Sequence, residues 1–203
     1  MENKNIENYL NKFRVTGSDV KYNYISMDLD FKGKFYINNN DLEEFYKIYA
    51  ESVKNKKLSI GERPQDYGPI LIDIDLKINT EKYDGNRLYN NEMILLIIDT
   101  YREALKNYLK LDDYELYASI FEKRKPTIKD NFIKDGFHII FRNITAHYKL
   151  RYVVRNYVVE KLKDNYIFKI FNESIDKIID KCIIHTNCWL LPYRKNLMVT
   201  NIN

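Results

Sequence analysis

Residues 68–77 read GPILIDIDLK, and the two carboxylates inside this apolar stretch constrain the chain more than any other feature of its sequence. In an extended strand, successive side chains point to opposite faces, so Asp73 and Asp75 share one face while Ile72 and Ile74 occupy the other. Their Cα atoms are then roughly 6.5–7 Å apart, at a rise of about 3.3 Å per residue. The stretch therefore predicts a strand with one apolar surface and one acidic surface.

Two interpretations of this acidic pair follow from its chemistry. Like charges held so close in a partly buried site raise each other's pKa and cost free energy unless a cation lies between them. Hard oxygen ligands suit Mg²⁺ or Mn²⁺, which makes a divalent metal site one interpretation. The other is an edge strand with a solvated acidic face, because alternating polar and apolar residues are ordinary in half-buried strands. The decapeptide alone leaves both open.

The rest of the composition describes an ordinary folded protein. A length of 203 residues suits one compact domain, and 45% hydrophobic with 31% charged residues is typical of globular chains. The sequence contains no apolar run of about 18 residues, and its polar start lacks the core of a signal peptide. Cys182 and Cys188 are too few for a disulfide framework and favour a reducing, intracellular compartment. A net charge of +4 is compatible with polyanion binding.

Periodicity predicts three helices separated by short strands. The helices are expected to begin at Asn40 or Asp41, at Asn90 or Asn91, and at about Thr145, the last one running to Lys163. The apolar face of the third helix is predicted to consist of Leu150, Val153, Val154, Tyr157, Val158 and Leu162. Strand-like runs occupy 22–27, 34–37, 70–76, 115–121, 137–141 and 181–184. This order predicts an α+β or α/β-type fold with a mixed sheet and flanking helices, forming a single domain over 1–203 with an N-terminal hairpin-helix appendage.

Two further stretches carry polar residues in apolar surroundings. In DGFHIIF, 135–141, Gly136 permits a close backbone approach and His138 lies inside a strand-like run. A histidine in such a position is more often a satisfied core residue than a ligand. In IIDKCIIHTNCWLLPYRK, 178–195, Asp180 stands where two apolar runs meet, and Lys195 follows them. A lone aspartate there is usually structural as well, so neither stretch identifies a site by itself.

Taken together, the three stretches resemble the archaeo-eukaryotic primase superfamily. Its motifs run in this order: an apolar strand ending in D-x-D or D-x-E, a small residue-x-His, and an apolar stretch ending in one acid. The likeness is closer to the primase domain of the primase-helicases of nucleocytoplasmic large DNA viruses. That branch also has segments similar to FEKRKP, KDGFHII and D-x₆-N-x-W with a following lysine, here Asp180, Asn187, Trp189 and Lys195. Pro192-Tyr193-Arg194 departs from the branch's usual Gly-Ser turn before that lysine.

The resemblance implies an archaeo-eukaryotic primase-like catalytic core. In it, Asp73, Asp75 and Asp180 meet and bind two divalent ions, Mg²⁺ or Mn²⁺. His138 is expected to contact the nucleotide's phosphates. The residues implied to grip nucleotide phosphate or template are Lys123, Lys134 and Lys195. Arg124 shares this expectation with Lys123, although a solvated turn before Pro126 is the ordinary alternative.

The implied function is a DNA primase that synthesises primers on a single-stranded DNA template from nucleoside triphosphates during replication. No G-x₄-G-K-[S/T] occurs in the sequence, so we expect a helicase domain or subunit as a partner rather than as a part of this chain. Because the sequence has no apolar run of membrane-spanning length, we expect no membrane association. For a viral protein, the resemblance implies a location in the host cytoplasm at the virus factory.

Other functions stay open at this point. Asp73, Asp75 and Lys77 fit the D-x-K element of a metal-dependent nuclease, because all three share one strand face. A nucleic-acid-binding domain without catalysis is a further alternative. Cys182, His185 and Cys188 form C-x₂-H-x₂-C, but a structural zinc site needs four ligands, and alternation along a strand would turn His185 away from Cys182. His185 is expected at a strand end and His147 near a helix start.

Overall fold

Helices and antiparallel strands alternate along the chain in a computed structural model that describes residues 5–56, 58–191 and 197–202. The helices are α1 Ile6–Asn11, α2 Asn39–Asn55, α3 Asn91–Tyr108, α4 Tyr148–Leu162 and α5 Ile175–Ile178. The strands are β1 Arg14–Val15, β2 Tyr24–Asp28, β3 Phe31–Phe35, β4 Ile60–Glu62, β5 Tyr67–Asn79, β6 Ala118–Lys123, β7 Thr127–Ile128, β8 Phe132–His147, β9 Trp189–Leu190 and β10 Leu197–Ile202. Short 3₁₀ turns occupy Thr80–Lys82, Asp113–Leu116, Tyr166–Phe168 and Cys182–Ile184.

The described residues form two compact units, each with its own sheet and core. The first unit takes the residues up to Gln65 and the segment from Thr186, and its sheet has the order β1-β3-β2-β4-β9. The second unit takes Asp66–His185 and β10, and its sheet has the order β10-β6-β8-β5, with β7 beside β8. The α+β class predicted from the sequence is therefore confirmed.

The predicted mixed sheet is wrong, because every pairing between described strands is antiparallel. The expectation of a mixed sheet came from strands that alternate with helices along the chain, an order that β5, α3 and β6 follow. β5 and β6 do run in the same direction, since both pair antiparallel with β8. They are not neighbours, however: β8 lies between them and converts the expected parallel pair into two antiparallel pairs.

The core of the second unit lies between one face of its sheet and helices α3 and α4. From β5 it takes Ile70, Ile72, Ile74, Leu76 and Ile78, the apolar set that strand alternation predicts. Helix α3 begins as predicted, with the Asn90 side chain accepting a hydrogen bond from the Met93 amide at 3.0 Å. Helices that cover only one face leave the opposite face of the sheet, which carries Asp73 and Asp75, for other uses.

Helix α4 differs from its predicted register in two respects. Strand β8 continues through the expected helix start at Thr145, and the helix begins only after His147, whose side chain accepts a hydrogen bond from the Lys149 amide. Its buried face contains Arg151 and Arg155, while Val153, predicted to be apolar core, is exposed. A search restricted to apolar residues misses these arginines, although they lie four positions apart on one helix face.

The segment 181–184, predicted as a strand, is instead a 3₁₀ turn. Asp180 starts the turn, because its Oδ1 accepts a hydrogen bond from the Cys182 amide at 2.8 Å, a local bond that competes with strand pairing. His185 therefore follows a turn rather than a strand end. Its ring stacks on Tyr148 at 4.1 Å between centroids, and its Nε2 lies 3.1 Å from Oδ1 of Asp66.

A smaller correction concerns the run 115–121, which begins as the turn Asp113–Leu116 and becomes a strand only at Ala118. Helix α2 starts at Asn39, with Asn38 in the capping position instead of Asn40 or Asp41. Among the described helices, none combines the length and apolar character that crossing a membrane requires.

Candidate active site

The acidic strand has the predicted alternation. Along β5, the even-numbered residues from Ile70 to Ile78 are buried, and Asp73 and Asp75 between them are only partly buried. Both aspartates therefore lie on the face of the sheet that the helices leave uncovered. This face is where the second unit collects its polar side chains.

Strand β8 brings the predicted histidine to the first aspartate. His138 pairs with Asp73 in the antiparallel register, and its Nε2 lies 3.2 Å from Oδ1 of Asp73. On its other side His138 pairs with Phe121 of β6, so Lys123, two positions further along β6, shares the same face. His138 is thus a residue of the acidic face and not of the core.

Gly136 explains how β8 approaches β5 next to the second aspartate. It pairs with Asp75, and a Cβ atom at this position would collide with the carbonyl oxygen of Ile74. Its φ of +159° is also one that residues with a Cβ rarely adopt. The close approach predicted for this glycine is therefore a real requirement of the strand pair.

The third acid reaches the first two through backbone contacts. Ile179 forms an antiparallel bridge with Ile74, the residue between Asp73 and Asp75. The amide of Asp180 donates a hydrogen bond to the carbonyl oxygen of Asp73 at 2.9 Å. Asp180, which is distant in sequence from Asp73 and Asp75, is thus their neighbour in the fold.

Comparisons with known proteins agree with this geometry. A family model described as the C962R protein N-terminal AEP domain matches residues 23–194, which include the three acids and His138. The chain belongs to this AEP family. The resemblance to archaeo-eukaryotic primases stated from the motifs is thereby confirmed.

The AEP domain is also similar to three viral proteins. It is 27% identical over 195 residues to "Putative helicase L207/L206" of Acanthamoeba polyphaga mimivirus, over 93% of this chain. It is 27% identical over 176 residues, 78% of this chain, to "Putative helicase 121R" of Invertebrate iridescent virus 3. It is 32% identical over 139 residues, 61% of this chain, to "Putative helicase 184R" of Invertebrate iridescent virus 6. The chain spans only 20%, 18% and 14% of the lengths of these relatives.

Electrostatics in the AEP domain reflect the crowding of the acids around Asp75. Burial raises the pKa of its carboxyl most, and the negative charge of Asp73 adds to the rise. Lys134 and Lys123 act in the opposite direction, and Asp180 contributes a further rise. The Asp75 carboxylate is therefore close to four other charged residues that the sequence predicted for the site, two lysines and two aspartates.

The other basic residues are distributed differently. Arg124 is exposed just beyond the end of β6. Lys77 lies over the ring of Phe132, with its Nζ 4.3 Å from the ring centroid. Lys195 falls outside the described residues, as does the Pro192-Tyr193-Arg194 departure, so its predicted role stays a prediction.

The donors of this site fit divalent ions in kind, although they do not form a complete cage. Within residues 5–56, 58–191 and 197–202, no three His, Cys, Asp or Glu side chains form a group that could hold a metal ion by themselves. This applies to Asp73, Asp75 and Asp180 as well as to Cys182, His185 and Cys188. Mg²⁺ usually keeps several waters and binds through one or two carboxylates plus substrate phosphates, not through an all-protein cage. Asp73 and Asp75 beside Lys123 and Lys134 therefore suit a divalent ion that binds together with a triphosphate, because the phosphate oxygens complete the ligands of the ion.

Sequence reasoning missed two charged residues that support the site. Arg155 of α4 contacts the segment just before Asp180, and Arg87 contacts the segment at Lys123. Arg87 also pairs with Asp135, which is fully buried next to Gly136, with its Nε 2.9 Å from Oδ2 of the aspartate. The sequence contained a signal for these contacts in Asp135 of the apolar strand β8 and in Arg155 of α4. Charged residues at such positions are buried only when they have partners.

Proposed function

We propose that this AEP domain is a template-directed nucleotidyltransferase that synthesises primers on single-stranded DNA with two Mg²⁺ or Mn²⁺ ions. The observation that carries the proposal is the hydrogen bond from the Asp180 amide to the Asp73 carbonyl oxygen, which makes the third motif acid a neighbour of the first two. Membership of the AEP family supports the same class of reaction.

In this proposal Asp73, Asp75 and Asp180 hold the two ions. When bound, the ions lower the pKa of the attacking 3′-hydroxyl and neutralise charge on the triphosphate and the leaving pyrophosphate. The raised pKa of unliganded Asp75 supports this role, because an added cation relieves the repulsion that causes part of the rise.

The basic side of the site binds the nucleotide. His138 contacts the phosphates from the position opposite Asp73, and Lys123 and Lys134 supply positive charge beside Asp75. Lysine ammonium groups serve phosphate as mobile point charges, which suits a triphosphate that must enter and leave. Lys195 is proposed for the same role on the strength of the motif alone.

The partners follow from the relatives and from the reaction. We propose a helicase domain or subunit as the partner, because the similar viral proteins are named as helicases and the match covers 20% or less of the length of each. Single-stranded DNA and nucleoside triphosphates are the proposed substrates. The viral origin of the three relatives supports a role in viral DNA replication in the host cytoplasm.

The test is incorporation of labelled nucleotide on a single-stranded DNA template with Mg²⁺ or Mn²⁺. We expect Asp73→Asn, Asp75→Asn and Asp180→Asn each to reduce incorporation by at least about 100-fold, since even residues that only hydrogen-bond to a metal ligand contribute roughly 10–100-fold. Asp99→Asn, which changes an exposed aspartate on α3, is the matched control and should retain activity. Equal activity in the three site variants and the wild type would exclude the proposal.

Two further measurements separate the alternatives: degradation of labelled DNA without nucleoside triphosphate, and retention of single-stranded DNA at increasing salt. A nuclease degrades DNA without nucleoside triphosphate and requires Lys77, whose contact with Phe132 does not favour that role. A domain that only binds nucleic acid retains single-stranded DNA, with affinity that falls steeply with salt, but incorporates no nucleotide.

A further inference from the structure

Arg155 is buried in α4 and directs its guanidinium group at a single turn of backbone. Its side chain is 3% exposed. Its Nε donates a hydrogen bond to the carbonyl oxygen of Ile179 at 3.1 Å, and its Nη2 donates to the same oxygen and to the carbonyl oxygen of Asp176. Its Nη1 lies 2.6 Å from Oδ1 of Asp176. Arg155 therefore caps the C-terminal end of α5, whose last carbonyl groups have no partner within the helix.

The carbonyl group of Ile179 that Arg155 contacts belongs to the peptide group that also contains the amide N–H of Asp180. The oxygen of this peptide comes from Ile179 and its N–H from Asp180, and the peptide unit is planar. Arg155 holds the oxygen, and the carbonyl of Asp73 accepts the N–H at 2.9 Å. One rigid plane is thus fixed at both ends, which leaves the backbone at Asp180 little freedom to rotate.

The bond from the Cys182 amide to Oδ1 of Asp180, at 2.8 Å, then orients the carboxylate itself. A buried arginine is a costly way to fill space, because an apolar residue of similar volume is often as stable or more stable at such a position. Two of the three guanidinium nitrogens of Arg155, Nε and Nη2, donate to the carbonyl oxygen of Ile179, which indicates that the arginine contributes to the orientation of this peptide.

We propose that Arg155 is a positioning residue that holds Asp180 beside Asp73 and thereby sets the affinity of the site for a divalent ion with a triphosphate. This inference rests on the proposed nucleotidyltransferase function. Arg155 touches neither nucleotide nor ion; it acts through the peptide between Ile179 and Asp180.

The matched control is Arg151, one turn earlier on the same face of α4. It is equally buried, at 3% exposure, and its Nη1 donates a hydrogen bond to the carbonyl oxygen of Pro69 at 3.5 Å, away from α5. Arg155→Met and Arg151→Met therefore remove the same charge and the same donors from the same helix. Only the first change affects the peptide before Asp180.

The first measurement is amide hydrogen exchange in the absence of any ligand. We expect Arg155→Met to speed exchange at the Asp180 amide by at least about 10-fold, because the hydrogen bond to Asp73 then opens more often. Arg151→Met should leave that amide within about twofold of the wild type, after correction for any change in global stability measured at core amides. An unchanged Asp180 amide in Arg155→Met overturns the inference.

The second measurement is binding of Mn²⁺ together with a non-hydrolysable nucleoside triphosphate, followed by electron paramagnetic resonance. We expect at least about 10-fold weaker binding in Arg155→Met, partial recovery in Arg155→Lys, and a change within about twofold in Arg151→Met. Asp176→Asn should also stay within about twofold, since the contact with the Ile179 carbonyl remains. If Asp176→Asn weakens binding as much as Arg155→Met, the ion pair and not the peptide contact is responsible, and the inference is wrong.

Two outcomes separate this inference from the function on which it rests. If Asp180→Asn weakens Mn²⁺ binding and Arg155→Met does not, the positioning role is rejected while the proposed function stands. If Asp180→Asn itself leaves Mn²⁺ binding unchanged, the proposed function fails, and the exchange experiment still decides whether Arg155 fixes the peptide. Should Arg155→Met fail to fold, Arg155→Lys takes its place in both measurements, with a smaller expected effect in the same direction.

Discussion

At the scale of single residues, Asp75 is the carboxylate on which the charges of the site converge. Its pKa is raised by burial first, then by Asp73, and Lys134 and Lys123 counteract the rise only in part. A group in this state opposes folding when it is ionised. Ionised Asp75 therefore lowers the free energy of unfolding of the unliganded protein, and a bound cation can remove this loss.

We predict that Asp75→Asn stabilises the unliganded protein at neutral pH. The pKa of Asp75 is near its ordinary value of 3.8 in the unfolded chain and higher in the folded one. The destabilisation by wild-type Asp75 therefore begins as the pH rises above that ordinary value and is complete above the folded pKa. At pH 7 the variant should gain roughly 0.5–2 kcal/mol in free energy of unfolding, the range of single stabilising substitutions, and the gain should vanish at acidic pH where both states are protonated.

Denaturant unfolding at a series of pH values measures this gain. Asp84→Asn is the control, because hydrogen bonds from Asn86 lower the pKa of exposed Asp84 and its removal should not stabilise the protein. A gain at pH 7 that persists unchanged at the acidic end would show that the raised pKa of Asp75 is not its source.

Gly136 carries a second prediction at this scale. Gly136→Ala should lower the free energy of unfolding by roughly 2–4 kcal/mol, because the new Cβ collides with the carbonyl oxygen of Ile74 and forces β5 and β8 apart. Gly85→Ala is the matched control: its φ of +92° is also unfavourable for alanine, but no atom lies within 4 Å of the new Cβ. Similar losses in the two variants, measured by chemical denaturation, would show that backbone conformation and not the collision limits position 136.

At the scale of elements, the segment before α3 is tied to two strands by one arginine. Arg87 pairs with buried Asp135 of β8 and donates a hydrogen bond to the carbonyl oxygen of Lys123 at the end of β6. Asp135 also accepts hydrogen bonds from the amides of Leu88 and Gly136, at 3.1 and 2.9 Å. The buried carboxylate thus joins β8 to the start of α3, next to the strand position that carries Lys123.

We predict that Arg87→Met destabilises the fold by roughly 3–5 kcal/mol, because it leaves the charge of Asp135 buried without its partner. The double variant Arg87→Met, Asp135→Asn should recover part of the loss, since the uncompensated charge is then removed. The contrast is Lys106→Met, which breaks an exposed pair with Asp113 and should cost less than about 1 kcal/mol. Urea unfolding measures all three, and a double variant no more stable than Arg87→Met would contradict the buried-charge explanation.

At the scale of the whole molecule, a net charge of +4 over 203 residues gives only a weak overall attraction for nucleic acid. The nucleotide and template binding that we propose would then depend on the local arrangement of cations at the acidic face. The prediction of one domain over residues 1–203 stays a prediction, and the second unit contains every described residue that we assign to catalysis.

We predict that Mn²⁺ and a nucleoside triphosphate together raise the thermal unfolding temperature of the full chain. A ligand at 100 times its dissociation constant contributes about 2.7 kcal/mol, which corresponds to a rise of roughly 5–10 °C for a chain of this length. Asp73→Asn and Asp180→Asn should abolish the rise, whereas Asp99→Asn should keep it. Scanning calorimetry is the measurement, and a rise of the same size in Asp180→Asn would remove that residue from the ion site.

The sequence by itself determined the features that depend on local periodicity and backbone chemistry. Alternation along 70–76 predicted which face of β5 is acidic, the pair Asn90-Asn91 placed the start of α3, and Gly136 marked a close strand approach. The order of the motif acids also indicated the AEP family before any geometry. These features are predictable because each follows from residues a few positions apart.

Only the tertiary structure decided how these elements meet. Strand β8 lies between β5 and β6, Asp180 starts a turn and not a strand, and Arg155 is buried against the carbonyl of Ile179. The strand order and the burial of Arg155 depend on contacts between residues far apart in the chain, and local propensity carries no information about them. The turn at Asp180 is formed by a local hydrogen bond to the Cys182 amide, which competes with the strand that the apolar run predicts. The physical reason is that a buried charged or polar group needs a partner, and that partner can lie anywhere in the folded unit. The role of a charged residue on an apolar face is therefore clear only when its partner is known.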